Sequence, residues 1–278
     1  MLHIIQQELA DCPLENTILI DPDSRLSQLG VLPIIPEDHY FFFDSRSDTS
    51  FASNMSMAQL TNTWITKVTG KEDFRYPKIW PRSSDLKKAA GFYSELKKCG
   101  ARRIIVTNFG VGGNQRKKVG WRLEKELLLS LLQEPDTVIV LDKGFGDEEL
   151  RDSNLLLEAV KDNGFATRDA AFGTAPDNGI SNGVIGMQTR IGEIAAIISK
   201  CDEYIGYDSA CQHIAAALEI PCLTIFAGSN NMRFIRRWSA FSPNSCQIVH
   251  VDTLTDPTAI DVEDIITRIM NERRMRIV

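Results

Sequence analysis

The 278-residue chain holds four histidines, and its six cysteines, at 12, 99, 201, 211, 222 and 246, contain no C-x-x-C pair. That scarcity argues against a zinc-ribbon or dithiol redox site and reads as reduced core or surface thiols. Cys211-x-His213 is too sparse for a metal site. No apolar run approaches the ~20 residues needed to cross a bilayer, and the amino terminus lacks a basic segment followed by an apolar core. A cytoplasmic location is therefore expected. There is no basic surplus either: a net charge of −6 and a pI near 5.4 speak against a general nucleic-acid binder. The local clusters Arg116–Lys118 and RFIRRW at 233–238 suit a phosphorylated ligand, although a solvated helix face is the plainer reading of the second.

With 43% hydrophobic and 24% charged residues, the chain has the composition of a globular protein of one large domain or two modest ones. Strand-like runs near 103–108, 137–142, 203–207, 222–227 and 247–251 alternate with helical segments near 84–99, 121–133, 147–162, 189–200 and 210–219. Such alternation predicts an α/β fold with a parallel, doubly wound sheet. The closing segment 261–274 places Ile265, Ile266 and Ile269 on one face and predicts an amphipathic helix. PKIWPRSSD at 77–85 marks a domain boundary, giving a partial amino-terminal domain over 1–80 and a Rossmann domain over 81–278. Within the first, Ile18–Ile20 and Tyr40–Phe43 read as two buried strands.

The stretch KCDEYIGYDSACQHIAAALEIPCLTIFAG at 200–228 is a strand, helix, strand unit. Asp208, Ser209 and His213 fall at the carboxyl end of its first strand and the first turn of its helix, where open parallel sheets bind ligands. The unpaired N–H groups and positive dipole end of that helix favour an anion such as a diphosphate. Capping by Asp208 or Ser209 and a satisfied interior His213 are the competing roles.

VTNFGVGGNQRKKVGW at 106–121 supplies a second anion-binding candidate. A strand ends at Asn108, Gly110, Gly112 and Gly113 let backbone N–H groups approach phosphates, and Arg116, Lys117 and Lys118 place cations beside them. The loop does not meet the G-x-G-x-x-G pattern of a dinucleotide fold. In DKGFGDEEL at 142–150, Glu148 or Glu149 suits either hydroxyl groups of a ligand, two of which a carboxylate can accept, or the favourable placement of acid at a helix amino terminus. Asp21-Pro22-Asp23 has the D-x-D shape of metal-dependent sugar transferases, but the proline makes a turn, and neither metal nor cofactor is expected.

Asp208, Ser209, His213, Ala215, Ala216, Ala217, Leu218 and Pro221 resemble the D-[ST]-G-x-x-H-[LI]-A-A-A-L-G-x-P pattern of the ADP-heptose:lipopolysaccharide heptosyltransferase family. Ala210 and Glu219 stand where that family usually has glycine. Upstream, Gly186, Met187, Thr189, Glu193 and Asp202 resemble the preceding family segment. Ser24, Arg25, Gln28 and Leu29, continued by 56–64, resemble a stretch of its amino-terminal domain more loosely. The resemblance implies a B-type glycosyltransferase with two Rossmann-like domains. Its donor-side residues would be Asn108, Gly110, Lys118 (or Lys117), Glu148 or Glu149, Gly186 and Met187 beside the base, and Asp208, Ser209, Ala210 and His213 at the diphosphate. A core role for Met187 is the alternative.

On that alignment the chain begins part-way through the amino-terminal domain, and the family's first strand and glycine-rich loop with its acceptor base have no counterpart before Met1. Asp23 and Asp44 are the substitute candidates for that base, with turn capping as their other role. The implied reaction moves a heptose or similar sugar from a nucleoside diphosphate donor, ADP-linked by resemblance, to a hydroxyl of a glycan or lipid-linked acceptor, a setting that leaves room for peripheral membrane contact. A non-catalytic sugar-nucleotide scaffold and an epimerase acting on nucleoside diphosphate sugars are the alternatives.

Overall fold

The computed structural model describes residues 12–21, 36–45, 47, 50, 52–174 and 179–275. The chain divides into two compact units, Met1–Arg75 and Tyr76–Val278.

In the first unit, β1 (Leu19–Asp21) and β2 (Tyr40–Phe42) pair in parallel. The Tyr40 hydroxyl donates to Asp21 Oδ2 at 2.8 Å. The expected pair of strands is present, but its expected burial is not: Ile18, Ile20, Phe41 and Phe42 are exposed, whereas Asp21, Tyr40 and Phe43 are buried. Two three-residue strands are too small a sheet to cover both faces, so the consecutive Phe41 and Phe42 are left exposed on opposite sides. Helix α1 (Met57–Thr69) starts in a capping box between Ser56 and Gln59 and stops at Gly70, whose φ of 67° few other residues tolerate.

The second unit contains seven parallel strands: β3 (Arg103–Asn108), β4 (Thr137–Asp142), β5 (Ala166–Asp169), β6 (Gly183–Met187), β7 (Glu203–Tyr207), β8 (Cys222–Phe226) and β9 (Cys246–His250). Their spatial order is β5-β6-β4-β3-β7-β8-β9. The chain runs from β3 to β4, skips a place to lay β5 at the edge, returns to insert β6 between β5 and β4, then crosses to the other side of β3 for β7, β8 and β9. β3 and β7 therefore flank the switch point, with Asn108 beside Gly206 in register.

Central strands such as IIV at 104–106 and VIVL at 138–141 are apolar without a break because both faces are covered. Ile105, Ile139, Leu141, Ile205, Tyr207 and Ile225 face one core, shared with α3 (Trp121–Leu131), α4 (Asp147–Asp162) and α8 (Val262–Arg274). Ile104, Val106, Val140, Ile185 and Tyr204 face the other, shared with α2 (Ser83–Lys98), α5 (Ile191–Ile198) and α6 (Ala210–Ala217). The basic cluster forms α7 (Met232–Trp238), which buries Ile235 and exposes Arg236.

Four charges gather where β3 and β7 begin. Arg273, 3% exposed, donates to both oxygens of Glu203 at 3.1 and 3.0 Å and to Glu134 at 2.7 Å; Arg103 reaches the same two acids. Burial opposes the Arg273 charge, but Glu203 and Glu134 outweigh it and raise its pKa. This network ties α8 to the amino ends of the strands, opposite the ends that open the crevice.

Candidate functional site

A cleft of about 580 Å³ lies at the carboxyl ends of β3, β4 and β6, closed on one side by the first turns of α5 and α6. Asn108 and Asp142 end neighbouring strands in register, and Asn108 Nδ2 donates to Asp142 Oδ2 at 2.8 Å. Thr189 Oγ1 donates to the other oxygen, Oδ1, at 3.0 Å. Burial raises the Asp142 pKa and the Glu149 charge adds to the rise, against the hydrogen bonds from Thr189, Gly144 N–H and Asn108. Asn108 Oδ1 also accepts from Gly110 N–H at 3.0 Å, which turns the glycine-rich loop across the cleft. Gly110, Gly112 and Gly113 all line it.

Ser209 and Ala210 open α6 and line the same cleft. Ser209 makes no capping bond, and its buried Oγ has no hydrogen-bond partner. Ser209 thus does not play the competing capping role, and the positive dipole end of α6 stays open to a ligand. Beside them, Asp208 is 5% exposed and receives Lys117 Nζ at 2.6 Å on Oδ2. Gln212 Nε2 donates to Asp208 Oδ1 at 2.6 Å, and Gln212 is itself held by Thr224 Oγ1 at 2.7 Å. Partial shielding from water lowers the pKa of His213; Asp208 raises it and Lys117 adds to the lowering. The ring therefore favours its neutral form, able to accept or donate one hydrogen bond.

Two contacts with the flanking backbone position Lys117. Gly228, at φ 74°, brings the loop after β8 so close that an added Cβ would sit 2.3 Å from Arg116 O. Tyr207, buried at the end of β7, accepts at its hydroxyl from the N–H groups of Val119 and Gly120, at 3.2 and 3.4 Å. Lys118, preferred from the sequence as the diphosphate ligand, turns elsewhere: its Nζ is 3.5 Å from Asp152 in a small enclosed space shared with Glu124, Asp142 and Glu149. Glu124 is 3% exposed, and burial pushes its carboxyl up to about 7, while Lys118 and the Tyr207 hydroxyl pull it down and Asp152 adds to the rise.

The turn after β4 runs Gly144-Phe145-Gly146. Phe145 N–H donates to Glu149 Oε2 at 2.9 Å, and Glu149 lines the cleft, whereas Glu148 is exposed on the helix. A Cβ at Gly144 would meet Glu149 Oε2 at 2.2 Å, so glycine is needed for the carboxylate to lie there. Gly186 and Met187 do not reach the ligand space. They are central β6 residues, Met187 being 1% exposed in the apolar core, because a strand covered on both faces sends every side chain into packing. Glu193 accepts from Arg190 N–H at 2.8 Å, and Asp202 accepts from Ile104 N–H at 2.7 Å, so both hold local structure. Asp44 lines a separate space of about 410 Å³ within the first unit, with Ser47, Ser50, Trp64 and Lys67. Asp23 lies outside the described residues.

Sequence reasoning missed Asp142, Gln212 and Glu124. Asp142 carried a signal, an acid ending an apolar strand before a glycine turn; the other two are single polar residues within helices. Cys211 also lines the cleft, but burial pushes its thiol up to about 12, with Asp142 adding to the rise, so it is a poor nucleophile. Among the described residues, no group of three or more His, Cys, Asp or Glu is arranged to hold a metal. No described helix is long and apolar enough to cross a membrane.

Residues 179–257 match the family described as glycosyltransferase family 9 (heptosyltransferase), a span that includes Ser209, Ala210 and His213. No curated protein matches the chain. Among solved structures, a family 9 glycosyl transferase from Veillonella parvula is 12% identical, with a TM-score of 0.62 over 98% of this chain and 77% of that one. The E. coli heptosyltransferase WaaC with ADP is 13% identical, with a TM-score of 0.62 over 97% and 78%. E. coli ADP-heptose lps heptosyltransferase II is 12% identical, with a TM-score of 0.55 over 93% and 76%. The resemblance to the heptosyltransferase family and the expected B-type glycosyltransferase fold are thereby borne out, and they support reading the chain as a glycosyltransferase enzyme.

Proposed function

We propose that the chain transfers a heptose or similar sugar from a nucleoside diphosphate donor to a hydroxyl acceptor in cell-surface glycan synthesis, on the cytoplasmic side and without a metal. The observation that carries the reading is the Lys117–Asp208 pair beside the opening turn of α6, within hydrogen-bonding reach of one another at the mouth of the switch-point crevice.

Loss of the diphosphate develops negative charge on the departing oxygens. A cation fixed by Asp208, the N–H groups opening α6 and the unpartnered Ser209 hydroxyl are ready to receive that charge without rearranging. His213 adds a neutral imidazole and Glu149 a carboxylate suited to ribose hydroxyls. Asn108 and Gly110 shape the loop over the phosphates. The acceptor side is assigned to the amino-terminal domain, with Asp44 and Asp23 as candidate bases for the acceptor hydroxyl. The domain limits 1–80 and 81–278 remain part of this proposal.

Calorimetric titration with ADP, UDP and GDP, repeated on Asp208→Ala and Lys117→Ala, tests the donor site. Binding of at least one diphosphate, weakened in both variants, supports it and selects the activated sugars to assay for transfer. Absence of binding to all three rejects it. Binding without transfer to any acceptor would favour the scaffold.

A further inference from the structure

Glu124 sits in the first turn of α3, yet its side chain is buried and its Oε1 has no hydrogen-bond partner, a rare condition for a carboxyl. It looks onto a closed space of about 10 Å³, room for one water at most, so little solvent screens its charge. The groups that face it there are Lys118 from the preceding loop, Asp142 and Lys143 at the end of β4, Glu149 and Asp152 on α4, and the Tyr207 hydroxyl from β7. Lys143 is committed to Asp169 at 2.9 Å, which leaves Lys118 as the cation shared by Glu124 and Asp152.

Tyr207 links this acid to the ligand side. Its oxygen accepts from the N–H groups of Val119 and Gly120, and its own hydrogen serves Glu124. Val119 and Gly120 directly follow Lys117 and Lys118, so the acid, the phenol and the two amides all act on the turn that carries both lysines.

We propose that Glu124, through Tyr207 and Lys118, is the positioning residue that keeps Lys117 within reach of the diphosphate, and that it does so best as a carboxylate. The inference rests on the donor reading above. A negative Glu124 makes the bond from Tyr207 charge-assisted, strengthens the phenol oxygen as acceptor for the two amides and draws Lys118 inward, each of which fixes the turn. A neutral Glu124 leaves only ordinary bonds at the same points. Burial holds its carboxyl up at about 7, so the two forms exchange across neutral pH.

The test is calorimetric titration of the full chain with ADP between about pH 6 and pH 8.5, repeated on Glu124→Gln, Lys117→Ala and the double variant. Ionisation of ADP and of His213 is common to the parent and Glu124→Gln, so the ratio of their affinities isolates Glu124. The deficit of Glu124→Gln is expected to be small at the acid end and to grow to about 5-fold at the alkaline end, the margin of a charge-assisted over a neutral hydrogen bond. It is expected to vanish when Lys117 is already alanine. Melting temperatures, which the glutamine should raise at the alkaline end, separate this loss of affinity from a loss of folding. A deficit that stays flat with pH, or one that persists in full without Lys117, overturns the inference and leaves the donor site standing. Failure of the unaltered protein to bind ADP overturns both.

Discussion

Lys117 Nζ lies 2.6 Å from Asp208 Oδ2 and donates to the backbone oxygen of the same residue at 3.3 Å. The ammonium is therefore oriented before any ligand arrives, and Gln212 fixes the carboxylate that orients it. A cation held this way loses little freedom when a phosphate replaces or shares its partner.

Lys117→Ala is expected to weaken ADP by about 10-fold to 100-fold, the range of a charge-assisted hydrogen bond, and to leave adenosine unaffected. Lys118→Ala is expected to cost much less, because Lys118 faces Asp152 and Glu124. Calorimetry on both variants decides; a larger effect at Lys118 would return the role to the residue favoured by the family resemblance.

Glu124 should imprint a pH dependence on stability. Its folded pKa of about 7 exceeds its ordinary value of 4.5, chiefly through burial. Between these values the folded state keeps a proton that the unfolded state releases, so the group stabilises fully below 4.5 and loses that contribution as pH rises to about 7. Glu124→Gln is thus expected to match the parent near pH 4.5 and to exceed it by about 3 kcal/mol above pH 7. Urea midpoints across that range check the sign, and a gap that does not change with pH would contradict it.

Glu219 ends α6 at φ 61°, in a Schellman arrangement where Ile220 N–H bonds Ala215 O at 2.9 Å and Glu219 N–H bonds Ala216 O at 3.0 Å. Glycine is the residue for that conformation, and Glu219→Gly is expected to stabilise by about 1 kcal/mol. The exposed pair between Glu219 and Lys78, at 3.7 Å, offsets little of this. Thermal unfolding reports the gain; a lower melting temperature would show that the side chain contributes more than its backbone conformation costs.

Arg273→Ala removes two charge-assisted hydrogen bonds from the almost fully buried Glu203 while Arg103 still reaches it, and is expected to cost about 3 kcal/mol in chemical denaturation, the low end for breaking a buried ion pair. Nucleotide affinity should persist at temperatures where the variant stays folded, because the network sits at the strand ends remote from the cleft. Loss of affinity in the folded variant would contradict that separation.

Much of the second unit was legible because its apolar runs have one interpretation when both sheet faces are covered. The predicted strands 103–108, 137–142 and 203–207 coincide with β3, β4 and β7. β5, reading Ala-Thr-Arg-Asp, carries no apolar signal because it is an edge strand largely in water, and β6 was hidden by its two glycines. Ser209, Ala210 and Glu149 were legible from their places at helix starts. The choice between Lys117 and Lys118 was not: adjacent residues on a short turn point apart, and which one meets Asp208 depends on Gly228 pressing on Arg116 from a loop more than a hundred residues away. For Met187 the sequence left base contact and core packing open, and its 1% exposure within β6 is the core alternative.

The parallel sheet gives the second unit two poles with different tolerances. A buried quartet of two arginines and two glutamates sits at one, and committed hydrogen bonds, the Lys117–Asp208 pair and glycine turns at the other. An engineer could replace the charged quartet of Arg103, Glu134, Glu203 and Arg273 with matched hydrocarbon side chains and harden the scaffold, then vary the residues that line the cleft as a separate exercise. Such modularity, laid along the length of each strand, lets resistance to heat and selectivity for substrate be altered independently.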